Sequence, residues 1–322
     1  MTDYKAISGN KIKFLTSDLS MSSATEGELF YSDTSKEFKV GVTVAAWSSG
    51  GNMNTTRRGG NSTGIGTQTA ALSAGGVIPP GPQTVNVEEY DGSSWSEQSN
   101  ISSARQHCGG AGTQTAGLIF GGDPAPNGTV TQEYDGSSWT AGGDIATTWG
   151  CAGFGTQTAG LAASGLNPGD TNLTTSYEYD GSSWTSGGTV NTGRRNIPCA
   201  GTQTAGVIMG GYVQGGASLA NVEEYDGSSW AEVTDVPTAN NSHGGGTGTQ
   251  TAALLCGGSP ARTHSFKYDG TNFSSYVVLS TGRSDHYCGG TQVVALVAGG
   301  DPGLASSEEL TETVTLKTIT DS

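Results

Sequence analysis

The chain has 322 residues, 53 of them glycine; 13% are charged and the net charge is −15. Such acidity excludes nucleic acid as a partner, because nothing would neutralise the phosphates, and it opposes docking on anionic lipid. No signal-peptide run opens the sequence and no stretch of about 18 apolar residues interrupts it, so neither secretion nor membrane insertion is expected.

Residues 1–42 stand apart in composition and hold five of the seven lysines. Within them EGELFYSDTSKEFKV, 26–40, alternates apolar and polar residues around a Ser-Asp-Thr-Ser turn, which predicts a β-hairpin. Beyond residue 43 the chain repeats itself. An eleven-residue phrase, GTQTAGLIFGG at 112–122, returns with its first glycine at 66, 155, 201, 248 and 290. A second phrase interleaves with it: EYDGSSW at 89–95, 133–139, 178–184 and 224–230, with a worn copy KYDGTNF at 267–273. Trp47 heads WSSGGNMNTTRR, which matches WTSGGTVNTGRR at 184–195. Six units of about 45 residues therefore follow one another.

Each unit reads as four short strands. In residues 104–143, strand a is ARQHCGG, closed by the turn AGTQT, and strand b is AGLIFGG. The loop DPAPNGTV follows, then strand c TQEY, the tight turn DGSS and strand d SWTAGG. Asp-Gly between β-prone runs is a strong hairpin signal, because glycine accepts the positive φ such turns need. No helical period appears, so the chain is all-β. Four-stranded units at this period predict a six-bladed β-propeller. The ring needs closing, and the strand at 43–49 with Trp47 is expected to supply the outer strand of blade six, the alternative being TVTLKTI near the C-terminus.

The doubled glycine ending strand b, followed by Tyr-Asp, Trp and an arginine opening the next unit, resembles the Kelch family. Gly121, Gly122, Tyr134, Asp135 and Trp139 carry the likeness in one unit, with Arg194 and Arg195 in a later one. It covers about residues 43–316, with the Tyr–Trp gap one residue shorter than the usual Kelch spacing. Blade three departs from it, with Ser164-Gly165 for the glycine pair and Trp149 near the place of the arginine. The hairpin in the leading segment resembles those near the start of bacteriophage tail-fibre and other virion proteins, and the degenerate repeats are similar to propellers of marine phages. That likeness implies a virion protein made in the host cytoplasm. Residues 1–42 would be an attachment or oligomerisation segment contacting other virion proteins, possible as a homotrimer, and 43–322 the propeller.

Strand alternation sorts the connections onto two faces. The GTQT and DGSS turns share one face and barely vary. The b–c and d–a loops share the other and differ from blade to blade, as recognition loops do. A ligand site is therefore expected among Asp123, Asn127, Asp170, Tyr212, Gln214, Arg262 and Asp301, polar or planar groups suited to a hydroxyl-rich host glycan or receptor. The same face, with neutral loops, also suits a purely structural capsid or tail decoration. If strand 43–49 is an outer strand, the leading segment joins at the face of the uniform turns.

Arginines recur before strand a, at 57 or 58, 105, 194 or 195, and 283, and read chiefly as structural partners of nearby acids rather than an anion-gripping ring. The five cysteines, odd in number and lacking any CxxC, read as small buried apolar residues. His107 and His286 lie in different blades and give a weak metal signal, so neither metal nor cofactor is expected. No Ser-His-Asp arrangement, HExxH, phosphate loop or paired carboxylates can be singled out, so the chain is not expected to be an enzyme; a polysaccharide-acting enzyme is the least favoured reading.

Overall fold

Repetition in the sequence becomes repetition around an axis. The computed structural model describes residues 3–7, 10–19, 27–60, 64–124, 127–216, 218–238, 241–260 and 262–319. Glu26 of the predicted hairpin, and Ala125, Pro126, Ala217 and Ala261 of the variable loops, lie outside them. The chain forms two compact units, Met1–Ala46 with Thr311–Ser322, and Trp47–Leu310.

In the first unit the predicted hairpin is present: Leu29 pairs with Val40 and Ser32 with Glu37, antiparallel. The Lys36 amide closes its turn on the Ser32 carbonyl at 2.8 Å. Strands Asp3–Ile7 and Asn10–Leu15 precede it, the second pairing parallel to Leu29–Ser32. On the other side, the Ile319 amide bonds the Phe38 carbonyl at 2.9 Å.

The second unit holds six four-stranded antiparallel blades. Blade two comprises Gly109–Thr113, Ala116–Phe120, Thr131–Tyr134 and Trp139–Ala141, strands a to d from the axis outward. Its strand a starts at Gly109 and runs into Thr113, so the sequence placed it some five residues early. The GTQT phrase is half strand and half turn. Gly112 takes φ +101°, and a Cβ there would overlap the Ala116 carbonyl of the facing strand. The sixth blade is closed by the Trp47 strand: in its sheet, Glu37–Ser49 lies beside Ser307–Thr318, and Gly50 N–H bonds the Ser307 carbonyl at 3.0 Å.

The glutamine of the repeated phrase staples every blade to the one before, and in several blades a tyrosine and a tryptophan add to it. The glutamine of GTQT donates both amide hydrogens to main-chain carbonyls of the preceding blade. Gln114 reaches Ala71 and Tyr90 at 3.2 and 2.8 Å, and Gln203 reaches Gly160 and Tyr179 at 3.1 and 2.8 Å. Gln68 does the same across the closure, to Ala295 and Leu310 at 3.0 and 2.7 Å. The tyrosine of EYD donates to a glutamate one blade back: Tyr90 to Glu309, Tyr179 to Glu133 and Tyr225 to Glu178, at 2.5 to 2.6 Å. The tryptophan indoles of blades one and four reach Ser307 and Ser176, at 3.0 and 3.3 Å. Strand a also comes close to its neighbour: a Cβ on Gly153 would stand 2.6 Å from Gly110 N. The aspartate of DGSS accepts the amides two and three residues on, as Asp180 does from Ser182 and Ser183 at 2.8 Å, and such bonds hold its carboxyl at about 2.

Burial first, and the facing glutamate second, push the hydroxyls of Tyr90, Tyr179 and Tyr225 up to about 12. An acid raised in the folded state stabilises it fully below its unfolded value, here 10.0, and loses that contribution as pH rises through about 12. A spectrophotometric titration of the native chain should therefore show these tyrosines ionising only near or above pH 12, together with loss of the native fold. Ionisation of every tyrosine near pH 10 with the fold intact would contradict the staple.

Candidate ligand-binding face

The recurring arginine is a brace. Arg57, Arg105, Arg194 and Arg283 are at most 2% exposed. Arg194 bonds the carbonyls of Gly210 and Asn221 at 3.3 and 2.7 Å and pairs with Glu223, which also accepts the amides of Asn191 and Thr192. Arg57 pairs with Glu88, and Arg283 with Glu308 at 2.9 Å, while Arg105 meets the amide oxygen of Gln132 at 2.5 Å. In blade three the place belongs to Thr148, whose hydroxyl bonds the Ser164 carbonyl at 3.2 Å; Trp149 is one residue further on.

Two residues past the brace, each blade contributes one residue to a ring around the axis. These are Gly59, His107, Gly150, Asn196, His243 and Asp285, with φ between 51° and 64°. Each donates its amide to the carbonyl of the one before, at 2.6 to 3.1 Å, and the Gly59 amide closes the circle on Asp285. Glycine, histidine, asparagine and aspartate are the residue types that best tolerate this backbone. Across the axis His107 Nε2 stands 3.4 Å and His243 Nε2 3.9 Å from Asp285 Oδ1, and the Asn196 amide meets His243. Burial pushes the Asp285 carboxyl up, but the bond from His107 and the charge of His243 outweigh it, and the group ionises below the ordinary value. The other end of the axis is a cavity of about 150 Å³ lined mostly by glycine, Gly66, Gly112 and Gly155 among them.

Outside the ring lies a second set, which pairs with the first residue of each b–c loop: Arg58 with Val77, Gln106 with Asp123, Trp149 with Leu166, Arg195 with Tyr212 and Ser284 with Asp301. Here the blades diverge. Arg195 stacks over Trp149 at 4.7 Å and Tyr212 at 5.3 Å. Between blades two and three a cleft of about 480 Å³ is lined by Asp123, Thr129, Thr147, Trp149, Pro168 and Asp170.

The seven candidate residues thus fall into separate groups. Asp123 and Asp170 share the cleft, with Trp149 as its wall. Tyr212 flanks Arg195 beside it. Arg262 and Asp301 form an ion pair at 2.8 Å, with Arg58 on the second oxygen at 2.6 Å. Gln214 takes the Asn172 side-chain oxygen on its main-chain amide at 3.2 Å, and its own Oε1 is buried without a partner. Asn127 is 6% exposed and holds the Ala104 carbonyl at 2.9 Å. Sequence reasoning took Arg195 chiefly as a structural partner and Trp149 only as a departure from the repeat, and it did not single out His243 or Asp285. The signal that would have found them was their fixed offset from the arginine brace. Elsewhere, all five cysteines are buried and outside any disulfide, with Cys256 and Cys288 Sγ 3.7 Å apart in adjacent blades.

No protein-family model and no curated protein matches the sequence. A solved structure titled "Structure of YjhT" superposes with a TM-score of 0.66 at 13% identity, covering 83% of this chain and 99% of that one. At that identity the likeness establishes the fold, a six-bladed β-propeller.

Proposed function

We propose that the chain is a virion-attached binding module whose propeller engages a hydroxyl-rich host surface ligand through its diversified face. The observation that carries this reading is the division of that face from the uniform one. GTQT and DGSS repeat because every blade poses the same stapling problem, whereas the set of Asp123, Trp149 and Asp170 in the cleft does not repeat from blade to blade. An aromatic wall flanked by carboxylates suits sugar rings, the ring stacking on indole and its hydroxyls donating to oxygen. Residues 1–42 would supply the attachment and the diversified loops of the propeller the recognition. The buried arginine, the glycine pair and the outer tryptophan support a Kelch-like classification, and the leading hairpin supports the phage virion setting, with trimerisation through that segment.

Deleting residues 1–42 should abolish incorporation into particles, while the remaining propeller still binds on a glycan array. Unchanged incorporation would refute the anchoring half, and an empty array the binding half. A second reading, a capsid or tail decoration without a ligand, draws on the internal pairing of Asp301, Arg58 and Arg262. Alanine replacements at Asp123, Trp149 and Asp170 that leave host adsorption intact would favour it.

A further inference from the structure

We infer that the cleft takes a carboxylate-bearing saccharide and that Arg195 is the residue that selects for the acid; this deepens, and rests on, the binding role proposed above. Two arginines occupy equivalent places in their blades, Arg58 and Arg195, and their circumstances differ. Arg58 is neutralised by Asp301 at 2.6 Å. Arg195 makes no ion pair among the described residues, with Asp170 and Asp285 acting on it only through their charge, and its guanidinium lies over the rings of Trp149 and Tyr212. A planar fork stacked on aromatic rings and without an ion pair is ordered before any ligand arrives. Carboxylate satisfies such a fork with two parallel bonds.

The geometry supplies the rest of the ligand. Trp149 lies under Arg195 and also lines the 480 Å³ cleft, so one indole joins the cation to a space of sugar size. Asp123 and Asp170 line the same cleft. They accept hydroxyl protons and would repel a second acid, so one carboxylate, at the Arg195 end, is what the site accommodates. Asp123 is already oriented by the Gln106 amide at 3.1 Å. A neutral sugar would leave the Arg195 fork unpaired, and a simple carboxylate would leave the indole and the cleft unused.

The test uses the full chain with methyl galacturonoside, which carries a single carboxylate, and with its methyl ester, which keeps the shape and removes the charge, followed by titration calorimetry. The acid should bind about tenfold or more tighter than the ester, the worth of a charge-assisted bond. Arg195→Gln should bind both forms alike, at the ester's affinity, which also reports that the cleft is intact. Arg195→Lys, a point charge without the fork, should fall between. Equal binding of acid and ester by the native chain, or a preference that survives in Arg195→Gln, would overturn the inference and leave the binding role standing. If neither form binds, and no neutral glycan does, the binding role itself fails and this inference with it.

Discussion

Replacing Arg194 with methionine is expected to lower the unfolding free energy by about 3–5 kcal/mol, the cost of leaving a buried charge unpaired. Arg194 and Glu223 are both fully buried. The guanidinium holds the end of strand b and the start of strand c through Gly210 and Asn221, while Glu223 caps the loop leading into the blade at Asn191 and Thr192. Without its partner the carboxylate must either stay charged in an apolar setting or take up a proton, and each is expensive. The double variant Arg194→Met with Glu223→Gln should recover most of the loss. Blade three already lacks both charges: Thr148 stands in the arginine's place and Tyr177 in the glutamate's. Urea titration of the three proteins measures the coupling. A single variant within 1 kcal/mol of the native chain would show that the brace is not structural.

Trp47→Ala is expected to cost a similar amount, about 3–5 kcal/mol by the usual penalty for truncating a buried tryptophan. Trp47 is 8% exposed, and its indole bonds the Val277 carbonyl of blade five at 3.0 Å. It belongs to the strand that closes the ring, so its loss also loosens the only blade built from both ends of the propeller unit. Trp139, in the same place in blade two, is less buried, and its indole nitrogen bonds Ser99 at an exposed site. Trp139→Ala should therefore cost less. Thermal unfolding of the two variants side by side separates closure from ordinary packing: equal losses would mean that the Trp47 strand has no special part in closing the ring.

Much of the fold was legible because each blade solves one packing problem with one set of residues. The GTQ glycines counted the blades, Asp-Gly located the c–d turns, and Trp47 announced the closing strand. Strand a was misplaced because Arg105 to Cys108 looks β-prone, whereas the backbone at His107 turns left-handed to join the axial ring. The tyrosine staple was readable in its exception. Leu310 replaces the tyrosine of blade six, and Lys267 replaces the glutamate that it would have met in blade five, where the lysine instead lies 4.1 Å over Tyr276. The strands preceding the leading hairpin were missed, since DYKAI and NKIKFL are too short and charged to declare a period. The candidate site was the hardest part. Trp149, Arg195 and Tyr212 are dissimilar residues from different repeats, and their meeting depends on register between blades, which no local pattern encodes.

The central claim, that ligand recognition belongs to the diversified face, is tested most directly by equilibrium binding of the labelled full chain to host cells. Trp149→Ala, in the cleft, is compared with Val294→Ser, at an exposed position in the GTQ-type turn of blade six. The account predicts at least a tenfold loss for Trp149→Ala, as for an aromatic hot spot, and native binding for Val294→Ser. Loss with Val294→Ser and full binding by Trp149→Ala would contradict it.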